Sequence, residues 1–297
     1  MTGSVSEDEY PTGQLQQLSP LVARVLAPNP SFFTFTGTQT YIVGREDVAI
    51  VDPGPAEPEH ITALLRAIDG RPVRALMCTH THRDHSPAAV VLAKATGAEI
   101  VGCAPLSLED DGPRADAAFD VDYRPDRVLA DGEGVIGQGW TLRALVTPGH
   151  TSNHLCYALV EEEALFTGDH VMGWSTTVIA PPDGDMTAYM ESMQKLADRS
   201  DRVYYPAHGD QVDAPQRLVR GMMGHRKARE GQILRHLDAE NGALIQDMVA
   251  AMYKGVDVRL HPAAARSVLA HLLDLERRGL VQPEGPSLAA QRWKRAG

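Results

Sequence analysis

Residues 78–87 read CTHTHRDHSP and place three histidines and one aspartate within six positions. Neutral imidazole nitrogens and carboxylate oxygens are the donors that zinc takes from proteins. The alternation of His80 and His82 on a turn lets both rings face one ion. Asp84 and His85 continue round the turn toward a second ion, about 3.5–4 Å away as in other two-metal sites. The stretch therefore predicts a metal site with room for two ions.

Three further ligand-type residues follow predicted strands later in the chain. His150 follows WTLRALVTPG, Asp169 follows ALFTG, and His208 follows RVYYPA. Each stands beside a glycine, which lets the backbone turn sharply and bring the side chain into a crowded centre. Because chance seldom produces seven such residues in these positions, we expect all seven to converge on one metal centre.

The segments around these residues alternate between strand and helix patterns. TYIVGREDVAIVDPG, residues 40–54, predicts a β-hairpin, and VRALMCT predicts a buried strand that leads directly into the histidine cluster. EPEHITALLRAI and PAAVVLAKAT have helical spacing, whereas residues 104–134 are typical of a loop or irregular insertion. A second set of strands begins at Trp140. The pattern predicts two similar α/β halves with a site where the strands end.

Beyond residue 213 the pattern becomes mainly helical. Residues 214–237 predict one long helix, and HPAAARSVLAHLLDLERRG predicts another that ends at Gly279. VQPEGPSLAAQRWKRAG then indicates a strand, a turn and a strand. We divide the chain into an N-terminal arm (1–30), a catalytic domain (31–213) and a helical, winged-helix-like C-terminal module (214–297).

Composition limits the class of protein. The 297 residues are 43% hydrophobic and contain no run of 18 apolar residues, so we expect no membrane segment. Glu7, Asp8 and Glu9 stand where a secretory signal would be basic and then apolar, which predicts a cytoplasmic protein. The three cysteines have no CxxC spacing and are expected to be buried thiols. A net charge of −11 argues against broad, non-specific nucleic-acid binding.

At this point the motifs resemble those of a known family. HTHRDH has the HxHxDH form of the metallo-β-lactamase superfamily, and TPGHT, TGDH and PAHG resemble its later motifs in the expected order. VDPG resembles its early strand-end motif, in which Asp52 supports the site from behind the ligands. The resemblance spans residues 35–210. It implies an α/β fold, the four-layer αβ/βα metallo-β-lactamase sandwich.

The resemblance also implies which residues bind which ion. Two divalent ions, with Zn²⁺ expected and Mn²⁺ or Fe²⁺ accepted by the same donors, would generate a hydroxide nucleophile and stabilise the oxyanion that forms. Asp84 is the candidate catalytic residue as well as a ligand. The implied ligands are His80, His82 and His150 for the first ion, Asp84, His85 and His208 for the second, and Asp169 as the bridge.

The leading expectation for the substrate is single-stranded RNA. The chain resembles short members of the superfamily with a winged-helix-like C-terminal domain, some of which cleave such RNA. A path for phosphates is offered by basic residues of the long helix, although a solvated helix face is the alternative. These residues are Arg217, Arg220, Arg226, Lys227, Arg229 and Arg235.

Other activities remain open. Glyoxalase II-like thioesterases share the seven ligands and need only a pocket for a small anionic ester or thioester, and lactonases follow them. A nucleic-acid-binding regulator with a structural metal site is an alternative of another class, but seven ligands for two ions leave room for water and substrate. β-Lactamase activity is not expected as the main role, because those enzymes do not use a bridging aspartate at the position of Asp169.

The loop HVMGWSTTVIAPPDGDM, residues 170–186, follows the predicted bridging aspartate directly. It is rich in hydroxyl and turn residues, so we expect it to form a wall of the substrate pocket. A purely structural role, in which these residues hold the loop closed, is the alternative. The sequence leaves a homodimer open. The candidate substrate contacts are His170, Trp174, Ser175, Thr176 and Thr177.

Overall fold

Two β-sheets pack face to face and carry helices on their outer sides. The computed structural model describes residues 10–106, 119–237, 242–287 and 292–296, so the acidic segment Glu7–Glu9 lies outside the described residues. The order of layers is helix, sheet, sheet, helix, and a third, smaller sheet belongs to the C-terminal module. The predicted four-layer α/β sandwich is confirmed.

The first sheet has seven strands in sequential order. Its first four strands pair in antiparallel fashion, and the remaining strands continue in parallel. Parallel strands need crossover connections, and a helix lies in each of the first two of the three such connections. The strands are β1 (Leu15–Gln17), β2 (Val22–Leu26), β3 (Gln39–Val43), β4 (Val48–Val51), β5 (Val73–Cys78), β6 (Glu99–Gly102) and β7 (Arg127–Val128); the helices are α1 (Pro58–Ile68) and α2 (Ala88–Thr96).

The predicted N-terminal arm contains two strands of this sheet, β1 and β2. Strand β2 pairs with β3 along its whole length, and both its ends are buried. Arg24 at its centre interrupts the apolar sequence pattern. In the structure its guanidinium donates a hydrogen bond to Gln39 Oε1 (2.6 Å) on the neighbouring strand. A charged residue within a buried strand thus hides the strand from pattern analysis.

The second sheet has five strands in the order β12-β11-β10-β9-β8. Trp140, Tyr157 and Phe166 point from it into the core that it shares with the first sheet. The methionine-rich helix that follows buries Met186, Tyr189, Met193 and Leu196 against its other face, as its spacing predicts. The strands are β8 (Gly134–Gly137), β9 (Trp140–Val146), β10 (Leu155–Leu159), β11 (Ala164–Gly168) and β12 (Val203–Pro206), and the helix is α3 (Met186–Ala197).

The C-terminal module has its own core around Trp293 and Leu272. Its small antiparallel sheet takes one strand from between the first and second helices and two strands from after the third helix. The turn of the predicted strand–turn–strand, residues 288–291, lies outside the described residues. In the described parts of the chain, no helix is both long and apolar enough to cross a membrane. The elements are α4 (Pro215–His236), α5 (Ile245–Met252), α6 (His261–Arg277), β13 (Ala243–Leu244), β14 (Val281–Pro283) and β15 (Arg292–Arg295).

Candidate metal centre

Seven histidine and aspartate side chains meet where strands of both sheets end. The turn after β5 supplies four of them, and the segments after β9, β11 and β12 supply one each. They form two groups, and within each group one donor atom per residue lies within 4.8 Å of all the others. The first group is His80, His82, His150 and Asp169; the second is Asp84, His85 and His208.

The first group is compact enough to surround one ion. His82 Nδ1 lies 2.8 Å from His80 Nε2 and 3.2 Å from His150 Nε2. Two nitrogens bound to one tetrahedral zinc ion would be about 3.3 Å apart, given Zn–N bonds of about 2.0–2.1 Å. The three nitrogens therefore have the spacing of ligands to one ion, and Asp169 Oδ2 lies 3.5 Å from His150 Nε2.

The second group is built around carboxylate oxygens. Asp84 Oδ2 lies 3.3 Å from both His85 Nε2 and His208 Nε2. Asp169 Oδ1 lies 3.2 Å from His208 Nε2 and 3.6 Å from His85 Nε2. The two oxygens of Asp169 thus face different groups, which is the arrangement that a bridging carboxylate requires.

Hydrogen bonds on the far side of the rings leave Nε2 free as a metal donor. His150 Nδ1 donates to the Val178 carbonyl (2.7 Å), and His208 Nδ1 donates to the Gly37 carbonyl (3.1 Å). His85 Nδ1 donates to Asp52 Oδ2 (3.1 Å). Such partners fix the tautomer and orientation of metal-binding histidines.

Asp52 supports two of these ligands at once. Its Oδ1 accepts from the Thr79 N–H (2.8 Å) and its Oδ2 from the Thr79 hydroxyl (2.9 Å). Since that hydroxyl donates to Asp52, it accepts from His80 Nδ1, which is 3.0 Å away. Asp52 therefore orients His85 directly and His80 through Thr79.

Unpartnered polar atoms show that the residues fit a cation. His85 Nε2 and Asp169 Oδ1 are buried and have no hydrogen-bond partner among the described residues. Buried polar groups are otherwise almost always satisfied. A divalent ion between these atoms would satisfy them, so the donor set matches a metal centre.

The electrostatics of the two groups differ. Burial lowers the pKa of His82 to about 3, and the adjacent His150 adds to this effect. Burial also lowers the pKa of His208, but Asp169 and Asp84 outweigh it and raise that pKa to about 10. In the same way, Asp84 and Asp169 outweigh burial and hold the pKa of His85 well above its ordinary value. The second group therefore favours positive charge, which a divalent ion supplies.

The glycines beside the ligands adopt the backbone conformation that the sequence predicts. Gly149, Gly168 and Gly209 have φ values of +140°, +49° and +80°. A Cβ on Gly149 would overlap the backbone of Tyr189. This glycine is therefore required both for the turn and for the close approach of α3.

Several contributors to the centre leave no signal in the sequence. The Thr38 hydroxyl donates to Asp84 Oδ2 (3.0 Å), and His154 is fully buried with its ring 5.2 Å from that of His80. The carbonyls of Gly37 and Val178 are backbone groups, so no residue type marks them. His154, four residues after His150, is the one that spacing within TPGHTSNH could have suggested.

The predicted substrate loop divides into exposed and buried parts. Trp174, Ser175 and Thr176 are partly exposed, and Trp174 stacks on Phe35 with ring centroids 4.9 Å apart. Thr177 is buried, and its hydroxyl contacts the carbonyls of Asp169 and His170 at 2.9 Å.

His170 is fully buried with its ring 4.7 Å from that of Tyr189. Unlike the prediction, the structure gives Thr177 and His170 internal contacts, because the chain turns inward on either side of Trp174. Trp174, Ser175 and Thr176 stay candidates for substrate contact.

The basic residues of α4 do not form a continuous path for phosphates. Arg226 is buried and donates to the Thr177 carbonyl, and Arg229 donates to the Met252 carbonyl (3.0 Å) and lies over the Tyr253 ring. Two of the six predicted cations are therefore committed to packing within the protein. The expected phosphate path is not supported.

Comparison with known families agrees with this geometry. Residues 34–208 match the metallo-β-lactamase superfamily, and residues 245–293 match the β-lactamase-associated winged helix domain. The chain belongs to the metallo-β-lactamase superfamily. It is a hydrolase of that superfamily with a C-terminal winged helix domain, as the motifs and the helical tail predict.

Similar proteins occur in filamentous fungi. An atrochrysone carboxyl ACP thioesterase of Aspergillus fumigatus is 34% identical over 74% of this chain, which spans 66% of that protein. The protein of the same name from Aspergillus chevalieri is 34% identical over 82% of this chain and 76% of its own length. A lactamase-like protein of Pestalotiopsis fici is 27% identical over 89% of this chain and 82% of its own. None of these three names refers to RNA.

Solved structures share the fold. A β-lactamase domain protein from Burkholderia ambifaria superposes with a TM-score of 0.80 at 20% identity, over 96% of this chain and 94% of that one. A metallo-β-lactamase family protein from Thermus thermophilus gives a TM-score of 0.73 at 22% identity, over 94% of this chain and 100% of the other. Both likenesses include the C-terminal module, given the length that they cover.

Proposed function

We propose that this hydrolase cleaves acyl thioesters at a dinuclear metal centre. The observation that carries the proposal is the pair of donor groups that share Asp169. The names of the fungal relatives support a thioester, carried on a carrier protein or a small thiol, in preference to single-stranded RNA.

The proposed ligands follow the two groups. His80, His82 and His150 would hold the first ion, Asp84, His85 and His208 would hold the second, and Asp169 would be shared between them. Zn²⁺ is the proposed ion, since imidazole and carboxylate donors suit it. When bound, such an ion pair activates a water molecule for attack and polarises the carbonyl of the substrate.

Hydrogen bonds from the surrounding protein orient the side chains of this centre. Asp52, Gly37 and Val178 fix the imidazole rings, and Thr38 fixes the Asp84 carboxylate. Six of the seven candidate ligands are buried, and Asp84 is half-buried, which limits bulk water and strengthens electrostatic interactions with the reacting carbonyl.

The chemistry of the leaving group also favours a thioester. All seven central side chains are ligands in this assignment, so none of them is free to act as a general acid. A thiol has an ordinary pKa of about 8.5 and leaves readily as a thiolate without a dedicated proton donor. Thioester hydrolysis is therefore the reaction that this donor set supports with its own residues.

A groove beside the centre offers room for the acyl group. It has a volume of about 750 Å³, and its lining includes Trp174, Phe35, Leu218 and Arg217 but none of the seven candidate ligands. Trp174 adjoins Gly209, the residue after the ligand His208. We assign this aromatic wall to the apolar part of the substrate.

A hydrolysis panel tests the proposal. The purified, Zn²⁺-loaded protein is offered a carrier-protein thioester, an acyl glutathione, an acyl-homoserine lactone and single-stranded RNA. We expect thioester turnover that is lost in Asp84→Ala and kept in Lys94→Ala, a control on the exposed face of α2. Turnover of RNA alone would overturn the proposed substrate.

A further inference from the structure

Arg226 is a buried cation in the middle of α4. Its side chain donates to the Thr177 carbonyl and lies over the Tyr189 ring, with its guanidinium carbon 5.2 Å from the centroid. The residue is 4% exposed, and the ion pairs formed among the described residues do not include it. Burying a charge without an opposite charge is costly, and the carbonyl and the aromatic ring offset part of that cost.

The segment that Arg226 contacts, Thr177 and Val178, is hydrogen-bonded to two proposed ligands of the first ion, Asp169 and His150. The Thr177 hydroxyl lies 2.9 Å from the Asp169 carbonyl and donates toward it. The next residue, Val178, accepts the hydrogen bond from His150 Nδ1 (2.7 Å). Two consecutive residues thus fix the backbone of Asp169 and the ring of His150.

We propose that Arg226 is a positioning residue for the first metal group. Its hydrogen bond fixes the Thr177–Val178 segment, which in turn sets the backbone of Asp169 and the orientation of His150. The inference rests on the dinuclear centre proposed above. It makes α4, the helix that leads into the winged helix domain, a part of the metal centre's support.

Other contacts make the same loop a shared element of the two domains. Arg266 of α6 donates to the Pro181 carbonyl (3.0 Å), and Arg277 of α6 pairs with Asp185 (2.5 Å). The loop is therefore held along its length by arginines of the C-terminal helices. Arg226 is the one of these three whose contact lies beside the residues that touch ligands.

Metal affinity is the readout that separates positioning from general stability. Metal-free protein is titrated with Zn²⁺ against a chelating dye, which gives one dissociation constant for each ion. In Arg226→Met we expect the constant of the first ion to weaken about 10–100-fold, the range for partners that orient ligands. The constant of the second ion, which shares only Asp169 with the first, is expected to weaken less. Arg226→Lys, which keeps a charged donor, is expected to recover part of the loss.

Arg229→Met is the matched control. Arg229 lies one turn away on the same helix and also packs over a tyrosine, but it contacts α5 and not the substrate loop. We expect its two dissociation constants to equal those of the wild type. Asp84→Ala removes a ligand of the second group, so the ion that still binds reports on the first group. In that background too, Arg226→Met must lower the affinity for this ion.

Thr177→Val gives a second, milder test. It removes only the hydroxyl that donates to the Asp169 carbonyl. It therefore tests the positioning role if circular dichroism shows that Arg226→Met does not fold. We expect the same constant to weaken.

Unchanged constants in a folded variant, or equal weakening of both, would overturn the inference, as would a wild type that binds fewer than two ions. Two bound ions without thioester turnover would overturn only the proposed substrate.

Discussion

Asp52 shows how one residue behind the ligands organises the centre. It orients His85 directly and His80 through Thr79. In Asp52→Asn the charge and one acceptor are lost, so we expect metal affinity or activity to fall about 10–100-fold while the fold is kept. Zn²⁺ titration and thioester kinetics measure this. Asp131→Asn, the same change at an exposed loop residue, serves as control, and equal effects of the two would contradict the assigned role.

Gly149 combines a positive φ with a close contact to α3. Gly97 also has a positive φ (+74°), but a Cβ there would meet no atom within 4 Å. We expect Gly97→Ala to lower the free energy of unfolding by about 1–2 kcal/mol, the cost of the left-handed conformation alone. Gly149→Ala adds a clash with Tyr189 and should cost more than about 3 kcal/mol. Denaturant unfolding compares them, and equal losses would refute the packing argument.

The convergence of the candidate ligand residues could be predicted from the sequence because their spacing and residue types carry the signal. His80, His82 and Asp84 are recognisable from one turn. The carbonyls of Gly37 and Val178 could not be predicted, since they depend on where distant loops are placed in the folded chain. The same reason explains why Arg226 was expected on a surface path and is instead buried.

At the scale of elements, Asp47 connects the β3–β4 hairpin of the first sheet to the β8–β9 turn of the second. Its Oδ1 accepts from Gln138 N–H (2.8 Å) and Trp140 Nε1–H (2.9 Å), and Arg74 pairs with Oδ2. Burial raises the pKa of Asp47, but these hydrogen bonds and Arg74 outweigh it and lower the pKa below its ordinary value.

A lowered pKa makes this contribution sensitive to acid. It is fully present above the unfolded value of about 3.9 and is lost as the pH falls through the lower folded value. We expect Asp47→Asn to lower the free energy of unfolding at pH 7 by about 1–3 kcal/mol, with the difference from wild type shrinking below about pH 4. Urea unfolding at several pH values checks this; a difference that grows in acid would contradict it.

Most elements were predictable because their patterns are regular. The hairpin β3–β4, the helix α3 and the helices of the C-terminal module lie where apolar spacing predicts them. Strands β1 and β2 were missed, since Arg24 breaks the pattern of one and the other is only three residues long. Short or charged strands owe their structure to neighbours in the sheet, which a local pattern does not contain.

At the scale of the whole molecule, the first helix of the C-terminal module contributes to the groove that we propose for the substrate. Arg217 and Leu218 of α4 line it together with Trp174 and Phe35. If the groove binds the acyl group, Trp174→Ala should raise KM about tenfold, the upper value of one aromatic contact, and leave kcat within about threefold. Steady-state kinetics with an acyl thioester separates these constants. A large fall in kcat at constant KM would instead place Trp174 in the chemical step.

The dinuclear centre is the claim on which the rest depends. Metal-free protein titrated with Zn²⁺, with thioester hydrolysis followed at each addition, tests it most directly. We predict that activity is absent without metal and reaches its maximum when two ions are bound per chain. Activity that is already maximal with one ion, or that persists without metal, would contradict a centre in which Asp169 joins two ions.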